Sequence, residues 1–243
     1  MTHATSQTVS LATSAGPMQC QLFLPKGDGP RGAVIVVPEV FGLMPAILET
    51  GEWLARAGYL ALCIEIFHRT APAGFVSEKH DFAAVGPHFK PLMNDGLAED
   101  LAAARDFLAK QPRSNGKVGV LGYCVGGFAA YLGACRTKLA ASVAYYGGGI
   151  VNARPQMTAL APLLAETVTC PVLAHFGADD ASIPASDREA IDARLTQLGV
   201  AHEFITYAGA GHAFGNYERP SFNPIATAQA WAKTLAFLAP LLA

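Results

Sequence analysis

Short runs of consecutive apolar residues recur along the chain, separated by longer segments in which apolar residues follow a helical spacing. The short runs are rich in β-branched residues, which is typical of strands buried on both faces of a sheet. They predict strands at residues 33–37, 59–64, 118–121, 139–145, 171–176 and 201–207. The longer segments predict helices at residues 45–57, 94–110, 128–134, 186–198 and 226–238. This alternation favours a parallel sheet with right-handed crossovers.

Three segments depart from that alternation. Residues 8–11 and 18–24 predict two short strands joined around residues 15–17, as an edge hairpin. Residues 67–91 are rich in Pro, Gly, Ala, His and Lys and show no firm period, so they predict an irregular excursion of the kind that often serves as a lid. Residues 150–169 predict a loop. For the helix that follows the excursion, Asn94 or Asp95 is the expected N-cap.

Composition limits the class of protein. The chain has 243 residues, of which 51% are hydrophobic and 15% charged, so we expect one domain, residues 1–243, with a large core. A formal net charge of −2 gives no electrostatic reason to expect nucleic acid or an anionic membrane as a partner. We expect a monomer or a small homo-oligomer.

The five cysteines include no C-x-x-C pair, which argues against a disulfide framework or a zinc site and fits a reducing compartment. The N-terminal residues show no basic region followed by an apolar one, and no apolar run reaches the roughly 18 residues of a membrane span. The sequence therefore predicts a cytoplasmic protein.

The stretch with the clearest chemistry lies between a predicted strand and a predicted helix. It reads Gly122-Tyr123-Cys124-Val125-Gly126-Gly127. A strand, a sharp turn and a helix, with glycines two residues before and after the central residue, form the nucleophile elbow of the α/β-hydrolase fold, here with Cys in place of Ser. The nucleophile then sits at a helix N-terminus, where the helix dipole favours a thiolate. The alternative interpretation is a buried Cys in an ordinary strand-to-helix turn.

A cysteine nucleophile needs a base, and the base needs an acid that holds it in one tautomer. In this fold the nucleophile, the acid and the base follow in that order, each in a loop after a strand. Of the seven His residues, only His212 lies in a glycine-rich loop just after the last predicted strand. Asp179 and Asp180 both follow the strand before it, and spacing alone does not separate them.

Two further features lie near the predicted elbow. Glu39 stands at the end of a buried strand, where an unpaired charge costs free energy, and this cost favours a functional role. The alternative interpretation is a partly exposed acid in a loop. The fold places an oxyanion hole at the backbone N–H groups of Val125 and Val40. The fold predicted from these elements is α/β, a three-layer sandwich with a mostly parallel central sheet.

With these motifs assembled, the chain resembles the dienelactone hydrolase family, the carboxymethylenebutenolidases, from about residue 33 to the C-terminus apart from the excursion. The matching stretches are Glu39-Val40-Phe41-Gly42, Ser114-Asn115-Gly116-Lys117-Val118-Gly119, Gly122-Tyr123-Cys124-Val125-Gly126-Gly127, Tyr145-Tyr146-Gly147, Asp180 with Ile183-Pro184, and Ala210-Gly211-His212-Ala213-Phe214. Together these stretches are specific, although each alone would be weak.

The resemblance implies a role for each candidate. The family places its acid four residues before the Pro of that loop, which selects Asp180 over Asp179. By resemblance, Cys124 is the nucleophile, His212 the base and Asp180 the residue that orients it. Glu39 matches the family glutamate that pairs with the cysteine thiol and helps to activate it when substrate binds. Two residues are expected to contact substrate, a pocket tyrosine and an aromatic neighbour of the glutamate: Tyr145 and Phe41.

The chain departs from the family where substrate is held. The family carries an arginine four residues after the catalytic His, and here that residue is Asn216. It also carries an arginine and a tyrosine in the segment that matches the excursion, and residues 70–91 contain neither. Six residues are candidates to hold a substrate carboxylate instead: Lys79, His80, His88, Lys90, Arg69 and Arg219. A Lys or His is not equivalent to a bidentate Arg.

The function expected from residues and resemblance together is hydrolysis of a lactone or enol ester through a Cys124 acyl-enzyme, without a metal or an organic cofactor. An alternative in the same class is a carboxylesterase or thioesterase for an uncharged substrate. An alternative in a different class is a non-catalytic binding or redox-sensing protein that keeps a reactive cysteine.

Overall fold

An eight-stranded sheet forms the centre of the computed structural model, which describes residues 5–78, 80–154 and 159–243. The strands are β1 (Thr5–Thr13), β2 (Gly16–Leu24), β3 (Arg31–Val37), β4 (Leu60–Ile64), β5 (Ser114–Tyr123), β6 (Ala141–Tyr145), β7 (Val172–Gly177) and β8 (His202–Tyr207), in the order β1-β2-β4-β3-β5-β6-β7-β8. β2 pairs antiparallel with β1 and with β4, and the other neighbours are parallel. The predicted edge hairpin and mostly parallel sheet are confirmed.

Helices cover both faces of the sheet. They are α1 (Pro45–Arg56), α2 (Phe82–Phe89), α3 (Asn94–Ala109), α4 (Val125–Arg136), α5 (Ala185–Gln197) and α6 (Pro224–Leu242). Successive residues of a strand face opposite sides. In β5, Gly119 faces Leu242 of α6, and Val120 faces Gly133 of α4. α6 and α4 therefore lie on opposite faces, and Trp53 of α1 meets Trp231 of α6 with ring centroids 5.7 Å apart.

The excursion contains an element that the sequence did not predict. Residues 82–89 form α2, and the side chain of Asp81 caps it by accepting a hydrogen bond from the Ala83 N–H at 2.8 Å. Gly86 and Pro87 lie inside this helix, and both residue types disfavour helix interiors. Their presence explains why no helical period was visible there.

The predicted N-cap of α3 is wrong. Met93 occupies that position, and no side chain caps the helix there. Asn94 is buried and instead bonds the main chain of Ala161 in both directions, at 3.0 and 3.1 Å. Asp95 pairs with Arg136 of α4 at 2.6 Å. The two polar side chains thus hold neighbouring segments against α3, because tertiary partners outcompete the local capping bond.

Among the described helices, α6 is long and apolar enough to cross a membrane when judged by length and composition only. Ala226, Ala230, Thr234 and Leu238 recur every four residues along it and are buried. A helix with one buried face of this kind covers a core, and α6 packs on β3, β5, β6 and β7.

Candidate active site

Four loops at the carboxyl ends of parallel strands bring the predicted functional residues together. Glu39 follows β3, Cys124 follows β5, Asp180 follows β7 and His212 follows β8. Because neighbouring parallel strands end at the same edge of a sheet, residues far apart in sequence meet there.

Cys124 sits at the tip of the predicted elbow in a strained backbone conformation, with φ 58° and ψ −114°. Non-glycine residues rarely adopt positive φ, and such strain is often found at functional positions. The flanking glycines are required by close backbone approach. A Cβ on Gly122 would lie 1.9 Å from the carbonyl oxygen of Gly126, and a Cβ on Gly126 would lie 2.3 Å from the carbonyl oxygen of Val37.

The side chains of Cys124, His212 and Asp180 form one continuous chain of hydrogen bonds. His212 Nε2 lies 3.2 Å from Cys124 Sγ, and His212 Nδ1 lies 2.7 Å from Asp180 Oδ2. Asp180 is buried, whereas Asp179 is exposed. His212 therefore contacts Asp180, and the role of Asp180 as the orienting acid stays a prediction.

The surroundings favour the charged forms of His212 and Asp180. Burial alone would lower the pKa of His212, but the charge of Cys124 and the bond to Asp180 raise that pKa to about 10. Burial alone would raise the pKa of Asp180, but hydrogen bonds from His212 and Ser182 hold it below its usual value. A charged imidazole beside the sulfur stabilises a thiolate, which is the nucleophilic form of cysteine.

Glu39 is buried beside this chain and held by two neutral donors. Its Oε1 accepts a hydrogen bond from the Tyr146 hydroxyl, and its Oε2 accepts one from Asn216 Nδ2, each at 3.1 Å. Burial raises the pKa of Glu39. In this structure both oxygens of Glu39 bond other groups, and the Cys124 thiol bonds His212. The pairing of Glu39 with the thiol was expected when substrate binds, and it stays a prediction.

A cavity of about 570 Å³ opens over Cys124. Its apolar walls include Val40, Phe41, Phe82 and Phe89. Contact between Phe41 and substrate stays a prediction. Val125, the first residue of α4, also lines the cavity, and the N–H of a first helical residue has no partner within its own helix. The predicted oxyanion hole fits this arrangement and remains a prediction.

The structure does not place Tyr145 at the cavity. Its hydroxyl bonds Thr234 of α6 at 2.7 Å, and its ring packs on His175 with centroids 4.5 Å apart, deep in the core. The expectation that Tyr145 contacts substrate is therefore corrected. Tyr145 is the last residue of β6 and faces α6, whereas Tyr146, with φ 40°, turns toward Glu39 and lies against the His212 ring at 5.2 Å.

Of the six candidates for holding a carboxylate, Arg219 lines the cavity, with its guanidinium 4.8 Å from the centre of the Phe41 ring. His80 packs edge-on against the same ring at 4.7 Å. Arg69 pairs with Glu99 and Asp100 of α3 at 2.9 and 2.8 Å. The other three are His88, whose Nδ1 bonds the Thr70 carbonyl at 2.6 Å, the exposed Lys90, and Lys79, which lies outside the described residues.

Sequence reasoning missed two polar residues at the cavity, Arg154 and Ser182, as well as the apolar Phe82 and Phe89. Arg154 lies in the loop after β6 and donates to the carbonyl oxygen of Ser182. No motif or spacing marked either residue. Within the described ranges, no three His, Cys, Asp or Glu side chains come together in a way that could hold a metal ion.

The sheet order, the elbow and the loop positions define a hydrolase of the α/β-hydrolase fold. The sequence profile of the dienelactone hydrolase family matches residues 18–242, and the chain belongs to that family.

Individual relatives agree with this assignment. The chain is 33% identical over 212 residues to a putative carboxymethylenebutenolidase of Synechocystis sp., with 86% of each chain covered. It is 33% identical over 234 residues to a carboxymethylenebutenolidase of Pseudomonas sp., covering 93% of this chain and 92% of that one. Among solved structures, a putative dienelactone hydrolase from Klebsiella pneumoniae superposes with a TM-score of 0.88 at 27% identity, covering 98% of this chain and 99% of that chain.

Proposed function

We propose that this protein hydrolyses a lactone or enol ester through a covalent acyl-enzyme on Cys124. The observation that carries the proposal is the chain of contacts from Cys124 Sγ to His212 to Asp180, at 3.2 and 2.7 Å, on the floor of a cavity of about 570 Å³. Relatives named carboxymethylenebutenolidase support the same reaction class.

The mechanism follows from the positions of the groups. The Cys124 thiolate attacks the carbonyl carbon, and the amides of Val125 and Val40 stabilise the oxyanion. When the oxyanion collapses, the carbon–oxygen bond to the leaving group breaks, and the leaving oxygen takes the proton from the His212 imidazolium. The neutral imidazole then removes a proton from water, and the resulting hydroxide attacks the thioester. The acid leaves, and the thiolate and the imidazolium are restored.

Charge in the cavity supports an anionic substrate. Arg154 and Arg219 both line it, and the surrounding walls are apolar. A guanidinium binds a carboxylate through two parallel hydrogen bonds, while apolar walls accept a hydrocarbon body. A lactone or enol ester that carries a carboxylate, as in dienelactone, fits this combination.

One observation favours the alternative of an uncharged ester or thioester. Asn216 replaces the family arginine and is engaged with Glu39, so it offers no positive charge to a substrate. The non-catalytic alternative is less well supported, because a binding or sensing protein does not need an aligned acid and base behind its cysteine.

The test of the proposal is to trap the intermediate. The protein is mixed with p-nitrophenyl acetate, quenched in acid within milliseconds, and digested for mass spectrometry. We expect one acetyl group on the peptide that contains Cys124 and a burst of p-nitrophenol close to one equivalent of enzyme. Pretreatment with iodoacetamide should remove both. Unchanged turnover after complete alkylation of Cys124, or acetyl confined to another residue, contradicts the proposal.

Arg219 provides a separate test of substrate charge. Arg219→Gln is expected to raise KM for dienelactone about tenfold or more, because a charge-assisted hydrogen bond is lost. KM for p-nitrophenyl acetate, which carries no carboxylate, should stay within about twofold. The matched control is Arg105→Gln, which removes an arginine that pairs with its neighbour Asp106 on α3 and does not line the cavity. Equal changes in KM for the two substrates would count against an anionic substrate.

A further inference from the structure

The hydroxyl of Ser182 lies against both partners of the acid–base pair. Ser182 Oγ is 2.5 Å from Asp180 Oδ1 and 3.2 Å from His212 Nδ1. The backbone N–H of Ser182 also donates to Asp180 Oδ1, at 2.9 Å. Asp180 therefore has three donors around its carboxylate, two from Ser182 and one from His212.

The positions of the protons follow from counting donors and acceptors. An ionised carboxylate only accepts hydrogen bonds. The Ser182 O–H must therefore donate to Asp180 Oδ1, and a lone pair of Ser182 Oγ faces the N–H at His212 Nδ1. Because the Nδ1 proton of His212 points to Ser182 and Asp180, its other ring nitrogen, Nε2, faces the Cys124 thiol. Rotation of the Asp180 carboxylate would break the bonds from Ser182 and His212 together.

Ser182 is itself fixed from the opposite side. The guanidinium of Arg154 donates to the Ser182 carbonyl oxygen and packs directly on Gly148, where a Cβ would lie 1.9 Å from Arg154 Nη2. The Ile183 N–H donates to the Asp180 carbonyl at 3.1 Å, which closes the turn that contains Ser182. The main chain of Ser182 is thus fixed by Arg154 and by the turn that starts at Asp180, which keeps the Ser182 hydroxyl beside the acid–base pair.

We propose that Ser182 is a positioning residue for the hydrolytic reaction, which orients the Asp180 carboxylate and keeps the His212 proton on Nδ1. This inference rests on the proposed function and deepens it, since it adds a fourth side chain to the acid–base chain. Because Ser182 donates to the ionised form of Asp180, it should also protect that form against acid.

The sign of the pH effect follows from that protection. The pKa of Asp180 is held below its usual value in part by the bonds from Ser182. Without the hydroxyl this pKa rises, so at mildly acidic pH a larger fraction of Asp180 is protonated and no longer orients His212. The acidic limb of the activity profile should therefore move to higher pH, while the plateau falls because the carboxylate is less well oriented.

The experiment compares Ser182→Ala, Ser182→Thr and Ser186→Ala with wild type in steady-state hydrolysis of p-nitrophenyl acetate between pH 3 and 9, a range that extends below the usual pKa of an aspartate. For Ser182→Ala we expect kcat about tenfold lower on the plateau, KM within about twofold, and an acidic limb displaced upward by about one pH unit. Ser182→Thr keeps the hydroxyl at an exposed position and should recover both kcat and the limb. Ser186→Ala removes an exposed hydroxyl in the first turn of α5 and should behave as wild type.

A wild-type acidic limb and a wild-type kcat in Ser182→Ala would overturn the role of Ser182. Loss of activity in Ser182→Thr equal to that in Ser182→Ala would also overturn it, because the hydroxyl would then not be the relevant group. The trapping experiment keeps this failure separate from failure of the proposed function. An acetyl adduct on Cys124 with no pH effect in Ser182→Ala removes only this inference, whereas absence of the adduct in wild type removes the acyl-enzyme itself.

Discussion

Cys124→Ala is expected to lower kcat by a factor of about 10⁴ or more for dienelactone and for p-nitrophenyl acetate, because it removes the proposed nucleophile and leaves only the proposed oxyanion hole and binding. The cavity, the His212–Asp180 pair and the fold should persist, so substrate should still bind. The measurement is steady-state hydrolysis of both substrates together with the thermal midpoint of each variant.

The matched control is Cys135→Ala. Cys135 lies in α4, the helix that begins directly after Cys124, and is only partly buried. It should keep kcat within about twofold of wild type, since it touches none of the reacting groups. Full hydrolysis in Cys124→Ala would rule out the acyl-enzyme on Cys124.

A second variant shows whether Cys124 and His212 act as one unit. His212→Gln should cost nearly as much kcat as Cys124→Ala, and the double variant should be little worse than either single one, because residues of one acid–base chain are grossly non-additive. Additive losses would mean that the contact of 3.2 Å between Nε2 and Sγ is not used in the reaction.

The elements that the sequence predicted well are those with a strong local signal. Strands buried on both faces appear as continuous apolar runs, and all eight predicted strands are present. The elbow was visible because steric crowding admits only glycine at Gly122 and Gly126, so the sequence itself shows where the backbone makes this tight turn. His212 and the pair Asp179 and Asp180 were singled out because the fold fixes the order of base and acid along the chain and places each after a strand. Only the family resemblance selected Asp180 over Asp179.

The features that the sequence could not predict depend on where side chains point after folding. Two adjacent tyrosines end β6, and only the turn of the backbone at Tyr146 decides that it, and not Tyr145, reaches Glu39. Arg154 comes from a loop without a motif and enters the cavity because Gly148 leaves room for its guanidinium. Such contacts join segments distant in sequence, and no local period encodes them.

The replacement of the family arginine by Asn216 has a consequence at Glu39 that only the structure reveals. In this chain the direct hydrogen-bond partners of Glu39 are the neutral groups of Tyr146 and Asn216, and burial raises its pKa. The charges of His212 and Arg219 act on Glu39 through space and partly offset that rise in its pKa. Arg219, which lines the cavity, is therefore expected to favour the charged form of Glu39 as well as to present a guanidinium to substrate.

Gly126→Ala is expected to lower the free energy of unfolding by about 3 kcal/mol or more, because the new methyl group would meet backbone and not a movable side chain. A Cβ at Gly126 would lie 2.3 Å from the carbonyl oxygen of Val37 and 2.6 Å from that of Pro38. These atoms belong to the end of β3 and the loop that carries Glu39 and Val40, so α4 must move away from that loop. The free energy should be measured by urea unfolding.

The same displacement should reduce activity in the fraction that remains folded. Val125 begins α4 and Val40 follows Pro38, so moving the two segments apart separates the two amides that we assign to the oxyanion, and a misplacement of about 1 Å can cost about 100-fold in rate. The matched control is Gly133→Ala in the same helix, where a Cβ would meet side-chain ends and not backbone, those of Leu139, Leu101 and Val120 at 3.0, 3.2 and 3.8 Å. Because those side chains can shift and Ala favours a helix over Gly by about 1 kcal/mol, Gly133→Ala should stay near wild type in both measurements. Equal stability of the two variants would show that the backbone contact at Gly126 does not hold the elbow against β3.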